Sequence, residues 1–167
     1  MISAPEPISS VHELSDFDCG KLVLNSWLKT RALSNHRYGF TSVTVVHKNL
    51  RVLGYYGLSP TTVLPEVLPR NVRTGQPPDP IPCLLLGQLA VDQGFIGQGI
   101  GSGLIKHALT SCLRAAVIIG GRALIVKAVD LEAAAFWQKR GFIETRGDPL
   151  MLFRSMSDIL ASVEQSQ

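Results

Sequence analysis

The stretch LLLGQLAVDQGFIGQGIGSGLIKHAL, residues 84–109, decides the fold of this chain. Its first eight residues, LLLGQLAV (84–91), are apolar at nearly every position, the pattern of a strand buried on both faces. DQGFIGQGIG is a glycine-rich turn. From Ile100 the apolar positions Leu104, Ile105, Ala108, Leu109, Cys112, Leu113 and Ala116 fall at helical spacing, so a helix of about four turns follows. Strand, glycine turn and helix in direct succession place unpaired helix N–H groups and the positive end of the helix dipole beside flexible backbone. That arrangement suits a pyrophosphate. The same glycines also serve a plain strand-to-helix turn for steric reasons.

Two other readings of the glycines fail. A dinucleotide-binding GxGxxG belongs in the first βαβ unit with an acidic residue about 20 positions on. Here it lies late, and after Asp92 the next acidic residue is Asp130. A P-loop requires GK[ST], which is absent.

Outward from this stretch, FDCGKLVLNSWLKTRAL (17–33) reads as an amphipathic helix, with Leu24, Trp27, Leu28 and Ala32 on one stripe. TSVTVVH (41–47) and RVLGYYGLS (51–59), joined at Lys48-Asn49, form a β-hairpin pattern. Seven of the ten prolines lie between Pro60 and Pro82, so 60–82 is expected to be a long ordered loop, with a helical turn around Glu66 to Leu68. RALIVKAV (122–129) reads as a strand. DLEAAAFWQK follows as a short helix capped by Asp130 and ended by Gly141. FIETR and MLFRS are short strands, and the tail from Ser157 is a terminal helix.

The 167 residues fit a single domain, 1–167, with the proline-rich segment inserted in it. Only 17% of residues are charged against 46% hydrophobic, and mean hydropathy is +0.20. Soluble domains usually carry roughly 25% charge, so some of this surface is expected to be covered. Disorder is excluded, and no apolar run approaches the ~20 residues of a membrane span. The net charge of +3 permits an anionic ligand without demanding nucleic acid. Three scattered cysteines without a CxxC pair, together with an N-terminus lacking a secretion signal, suggest a reducing cytoplasm. His12, His36, His47 and His107 are dispersed, without metal-ligand spacing, so no metal site is expected; His107 is expected to be solvated on the polar side of its helix. Asp92 and Glu132 read as surface carboxylates at helix starts.

Several separate motifs in order, FDCGKLVLNSWLKTRA, VLGYYGLS, IPCLLLGQLAVD, GQGIGSGLIKHAL, IGGRALIVKA and AAAFWQKRGF, resemble the GNAT acetyltransferase superfamily over nearly the whole chain. Within it, the resemblance is to the toxin branch of bacterial toxin–antitoxin pairs. It implies an α/β fold with a curved, mixed, mostly antiparallel sheet, helices on both faces, and an acetyl-CoA cleft where LGQLAV splays from RALIVKAV. The backbone of Leu89, Ala90 and Val91 would pair with the acetyl carbonyl and pantetheine. The amides of Gly97, Gln98, Gly99, Ile100, Gly101 and Ser102 would cradle the pyrophosphate, and Asp130, Ala133 and Phe136 would lie along the pantetheine arm. The implied reaction is direct attack of an amine, most specifically the aminoacyl group of a charged tRNA, on the thioester of acetyl-CoA. A homodimer and a ribbon-helix-helix antitoxin are the implied partners. The basic residues Lys29, Arg31, His36, Arg37, Arg70, Arg73, Lys139, Arg140, Arg146 and Arg154 would meet phosphates.

Three positions depart from the family pattern. Trp137 stands where a tyrosine usually protonates the leaving thiolate, and an indole N–H is no useful acid. Tyr55 and Tyr56 are the nearest replacement hydroxyls by motif position. Ile96 replaces the Gln or Arg that opens the phosphate turn, and Gln88 replaces an arginine common in the toxin branch. These departures leave two further readings open: a catalytically inactive GNAT-fold module with a binding or regulatory role, and an acetyltransferase for small amines or protein lysines.

Overall fold

The computed structural model describes residues 1–165. Seven strands hydrogen-bond in the order β1-β2-β3-β4-β5-β7-β6. They are β1 (Glu6–Pro7), β2 (Ser42–Lys48), β3 (Arg51–Val63), β4 (Ile81–Val91), β5 (Ala123–Lys127), β6 (Ile143–Thr145) and β7 (Asp148–Ser155). The sheet is mixed: β1–β2, β2–β3, β5–β7 and β6–β7 pair antiparallel, and β4–β5 pair parallel. With the helices α1 (Leu22–Trp27), α2 (Leu33–Arg37), α3 (Ile100–Ile119), α4 (Leu131–Gln138) and α5 (Met156–Gln165), this is the α/β architecture expected from the sequence.

The described residues group into two compact units, one of 1–59 with 87–108, the other of 60–86 with 109–165. In the first, Phe17, Leu28, Ala32, Val43, Val45, Val52, Tyr55 and Ala90 form a buried core, with Leu24 and Trp27 packed against it. The stripe read at helical spacing therefore does face the core. The helix boundaries differ from expectation. It begins at Leu22 rather than residue 17, because Gly20 has φ +85 and the Asp18 side chain accepts from the Gly20 amide, diverting the backbone into a turn. It then runs through a π-helical turn, Leu28–Ala32, into α2.

The hairpin forms as read, with Ser42 opposite Leu58 and Lys48 opposite Arg51. Its second strand continues to Val63, so the expected loop 60–82 is shortened at both ends, and β4 already begins at Ile81. The β2 ladder stops at Leu58, so Pro60 sits where no β2 partner asks for its missing amide.

In the second unit the core comprises Val63, Leu68, Val72, Ile81, Cys83, Ala123, Ile125 and Phe153. The proline-rich loop contributes Leu68 and Val72, and it is held by Arg122, whose Nη1 donates to the carbonyls of Val72 (3.0 Å) and Thr74 (3.1 Å). Pro65–Val67 makes the short helical turn. The β4–β5 ladder consists of Leu84, Leu85 and Leu86 against Leu124, Ile125 and Val126. Cys83, Leu84 and Leu86 of β4 are buried, but Leu85, Gly87, Gln88, Leu89 and Val91 are only half-buried. Continuous burial over 84–91, as the apolar run suggested, is thus corrected at its C-terminal half.

Helix α3 buries Ile100, Leu104, Ile105, Ala108 and Cys112 and extends three residues past Ala116 to exposed Val117, Ile118 and Ile119. By length and composition it is apolar enough to cross a membrane, which no run in the sequence suggested. Core helices of globular proteins pass the same test.

Candidate active site

The glycine turn opens with Asp92, whose side chain caps the short helical turn Gln93–Phe95 by accepting from the Gly94 amide at 2.9 Å. Beyond it, residues 96–99 are exposed. Gly97 (φ +88) and Gly99 (φ +82) occupy the left-handed region that side-chain-bearing residues avoid. No atom lies within 4 Å of where a Cβ would stand at either one, so the glycines answer to backbone conformation, with open space above them. The first helical bond runs from the Gly103 amide to the Gly99 carbonyl at 3.0 Å. The amides before it, through Ser102, have no acceptor within the helix. Ile100 is buried and anchors the turn beside Gly54, where an added Cβ would meet its Cγ2 at 3.0 Å. The turn thus joins free donors, left-handed backbone and open space at the positive end of a 20-residue helix. This fits a diphosphate, and the residues expected for it, Gly97 to Ser102, are contiguous there.

The strand that leads in supplies Leu89, Ala90 and Val91. Ala90 is buried in the core of the first unit, while Leu89 and Val91 are half-buried. An added Cβ at neighbouring Gly57 would stand 2.8 Å from the Gln88 side-chain oxygen, so the two side chains would share one space.

The two candidate hydroxyls separate sharply. Tyr55 is fully buried, stacks on Trp27 with centroids 5.9 Å apart, and donates to the Leu24 carbonyl at 2.7 Å. Burial pushes its phenol well above the usual range, so it is a core residue and no proton donor. Tyr56 is also buried, and its hydroxyl lies 2.8 Å from His107 Nδ1. His107 is therefore half-buried and bonded rather than solvated, a correction to the reading of its helix face.

In the second unit, Asp130 Oδ1 accepts from the Ala133 amide at 2.8 Å, the cap expected from the sequence. Both groups are thereby engaged within α4. The Phe136 ring is half-buried under the Arg140 guanidinium, 3.5 Å from centroid to Cζ, and Arg140 Nη1 donates to the Phe136 carbonyl. Trp137 is 6% exposed and packs edge-on against Phe136 and Phe142, each with centroids 5.1 Å away.

One cluster was invisible in the sequence. Glu6 on β1, His12 and His47 on β2 bring their ligand atoms within 4.8 Å of one another. The histidines are 35 positions apart, and the β1–β2 pairing together with the Glu13–Arg51 bridge unites them. A metal would take the Nε2 lone pairs and leave the proton on Nδ1. Here the Nδ1 atoms accept from the backbone amides of Ser9 (2.9 Å) and Leu50 (3.1 Å), and both Nε2 groups meet Glu6 Oε1. The donor set suits a carboxylate held by two N–H groups and not a cation. It fastens the N-terminal strand. The hydrogen bond from His12, reinforced by His47, holds the Glu6 carboxyl below its ordinary 4.5 against the opposing effect of burial. A carboxyl with a depressed folded value contributes stability above its unfolded value and loses it as pH falls through the folded one. Thermal melts of wild type and Glu6→Gln are therefore expected to differ at neutral pH and to converge below 4.5, and zinc is expected to raise neither melting temperature.

Comparison with known proteins matches residues 39–144 to the acetyltransferase (GNAT) domain. A tRNA-acetylating toxin of Mycobacterium tuberculosis is 38% identical over 161 residues, 96% of each chain. The solved structure of AtaT complexed with acetyl-methionyl-tRNAfMet is 29% identical, covers 97% of this chain and 99% of that one, and superposes with a TM-score of 0.87. A tyrosine-to-phenylalanine mutant of the AtaT toxin, bound to the C-terminus of the antitoxin AtaR and to acetyl-CoA, is 28% identical with a TM-score of 0.82, covering 99% of each chain.

Proposed function

The chain belongs to the GNAT acetyltransferase family, and from that premise we propose that it is an acetyl-CoA-dependent N-acetyltransferase of the toxin type, acting on the aminoacyl group of charged tRNA. The observation that carries this reading is the turn at 97–102, exposed over 97–99 and with amides that have no acceptor within the helix, in a chain 38% identical to a tRNA-acetylating toxin. The turn amides would hold the diphosphate of acetyl-CoA, and the Leu89–Val91 backbone would orient the acetyl group and stabilise the oxyanion. The amine nitrogen attacks the thioester carbonyl, a C–N bond forms as the C–S bond breaks, and the thiolate leaves. The α-amine of an aminoacyl ester is weakly basic and largely unprotonated at neutral pH, so positioning carries most of the catalysis.

The proton for the thiolate is the weak point of this site. Trp137 offers no acid, Tyr55 is committed to the core, and the Tyr56 hydroxyl is bonded to His107 Nδ1. We read the enzyme as slower than relatives that carry a tyrosine at the position of Trp137. An inactive binding module is the second reading, and these same residues favour it.

The AtaT–AtaR complex supports an antitoxin partner, for which we propose the ribbon-helix-helix class, with a homodimer as the assembly and the cytoplasm as its place. Exposed apolar residues in each unit, Leu22 and Val23 in the first and Val117, Ile118 and Ile119 in the second, support coverage by such partners. Incubation of the protein with labelled acetyl-CoA and charged tRNA is expected to yield acetyl-aminoacyl-tRNA. Binding of acetyl-CoA without transfer to any charged tRNA would favour the inactive module.

A further inference from the structure

We propose that Asp92 is the positioning residue of the phosphate turn, and that Asp18 extends its hold to the first turn of α1. The inference rests on the reading of 97–102 as the diphosphate site. Asp92 was expected at the surface, yet it is 4% exposed. Its Oδ1 accepts from the Gly94 amide at 2.9 Å and its Oδ2 from the Asp18 amide at 3.1 Å. Its own amide donates to the Leu53 carbonyl at 2.7 Å, and its carbonyl accepts from Phe95 at 3.0 Å. Arg51 Nη2 lies 3.6 Å from Oδ2, and the Arg51 guanidinium also faces the Phe95 ring, 5.5 Å from its centroid. The buried carboxylate thus fixes Gly94 of the turn and Asp18 beside it, while the backbone of the same residue ties Phe95 and the strand end.

Asp18 grips the same turn from outside. Its carbonyl accepts from the Gln93 amide at 2.8 Å and its Oδ2 from Gln93 Nε2 at 3.1 Å. Its Oδ1 accepts from Gly20 and from Asn25 Nδ2, each at 2.9 Å, and Asn25 lies within α1. The phosphate turn and the start of α1 are therefore one hydrogen-bonded assembly.

The sign of the charge separates positioning from direct ligand contact. A carboxylate acting on a diphosphate through its charge would repel it, and neutralising it would tighten binding. A carboxylate that holds the turn does the reverse. In Asp92→Asn the amide oxygen can still serve Gly94, but the new NH2 group confronts the Asp18 amide, so one of two bonds is lost.

Acetyl transfer to charged tRNA would be measured with acetyl-CoA and with S-acetyl-N-acetylcysteamine, a donor lacking the diphosphate. Asp92→Asn is expected to raise KM for acetyl-CoA about 10-fold, with kcat at saturating donor within about twofold of wild type. The truncated donor should be used equally well by both proteins. Asp18→Asn should move KM in the same direction by a smaller factor. Val45→Ala, in the core of the same unit, should lower the melting temperature without moving KM. An unchanged or lowered KM in Asp92→Asn overturns the proposal, as does a parallel loss with the truncated donor. Failure of the wild type to bind acetyl-CoA in calorimetry removes the reading of the turn itself, and this proposal with it.

Discussion

Replacing Trp137 by tyrosine is expected to raise the turnover number for acetyl transfer by about 100-fold, the usual yield of a placed general acid. An indole N–H cannot give its proton to a thiolate, whereas a phenol can. Trp137 is 6% exposed and packs edge-on against Phe136 and Phe142, so the smaller ring leaves some space in the second unit. The variant should melt at a somewhat lower temperature while working faster. Trp137→Phe is the control: it loosens the same packing without adding a hydroxyl, and should show no gain in rate. Equal rates in the tyrosine and phenylalanine variants would mean that this position supplies no proton. Activity in the tyrosine variant alone would identify the natural chain as a disabled enzyme that retains its donor site.

The second large effect is expected at the turn. Gly99→Val should weaken acetyl-CoA binding by about 100-fold, measured by calorimetry. Gly99 stands at φ +82, where a β-branched residue is strained, and its carbonyl accepts the first helical bond, from Gly103. Relief of that strain rotates the peptide units whose amides face the ligand. Gly103→Ala is the matched control, because Gly103 lies inside the helix with nothing within 4 Å of an added Cβ, so its donor affinity should be retained. If Gly99→Val binds as the wild type does, the diphosphate is not held by this backbone.

Much of this was legible in the residues. The two periodicities that meet between Val91 and Ile100 fixed a strand, a turn and a helix, and the glycines of that turn marked where a ligand could approach backbone. The Asp130 cap and the hairpin at Lys48-Asn49 were equally readable, because each depends on neighbours a few positions away. The helix start at Leu22 was not. Gly20 alone is a weak signal, and what diverts the chain there is Asp18, itself held by Asp92 from 74 positions away. Pro60 suggested a loop because the one-dimensional pattern cannot say that β2 ends opposite Leu58.

Side-chain roles divide along the same line. Sequence by itself determined the α/β class, the family resemblance, and a glycine turn at 97–101 that leads straight into a helix, since backbone chemistry at a turn is local. Tertiary structure alone decided which polar side chains are spent elsewhere. Tyr55 and Tyr56 are adjacent in sequence and indistinguishable there; strand alternation sends one hydroxyl to the Leu24 carbonyl and the other to His107. Asp92 looked like a surface carboxylate and is a buried hub, and Glu6, His12 and His47 looked unrelated and form a clasp. Hydrogen bonds are short-ranged and directional, so the partner of a side chain is set by what the fold brings within about 3 Å of it, and no spacing along the chain encodes that distance.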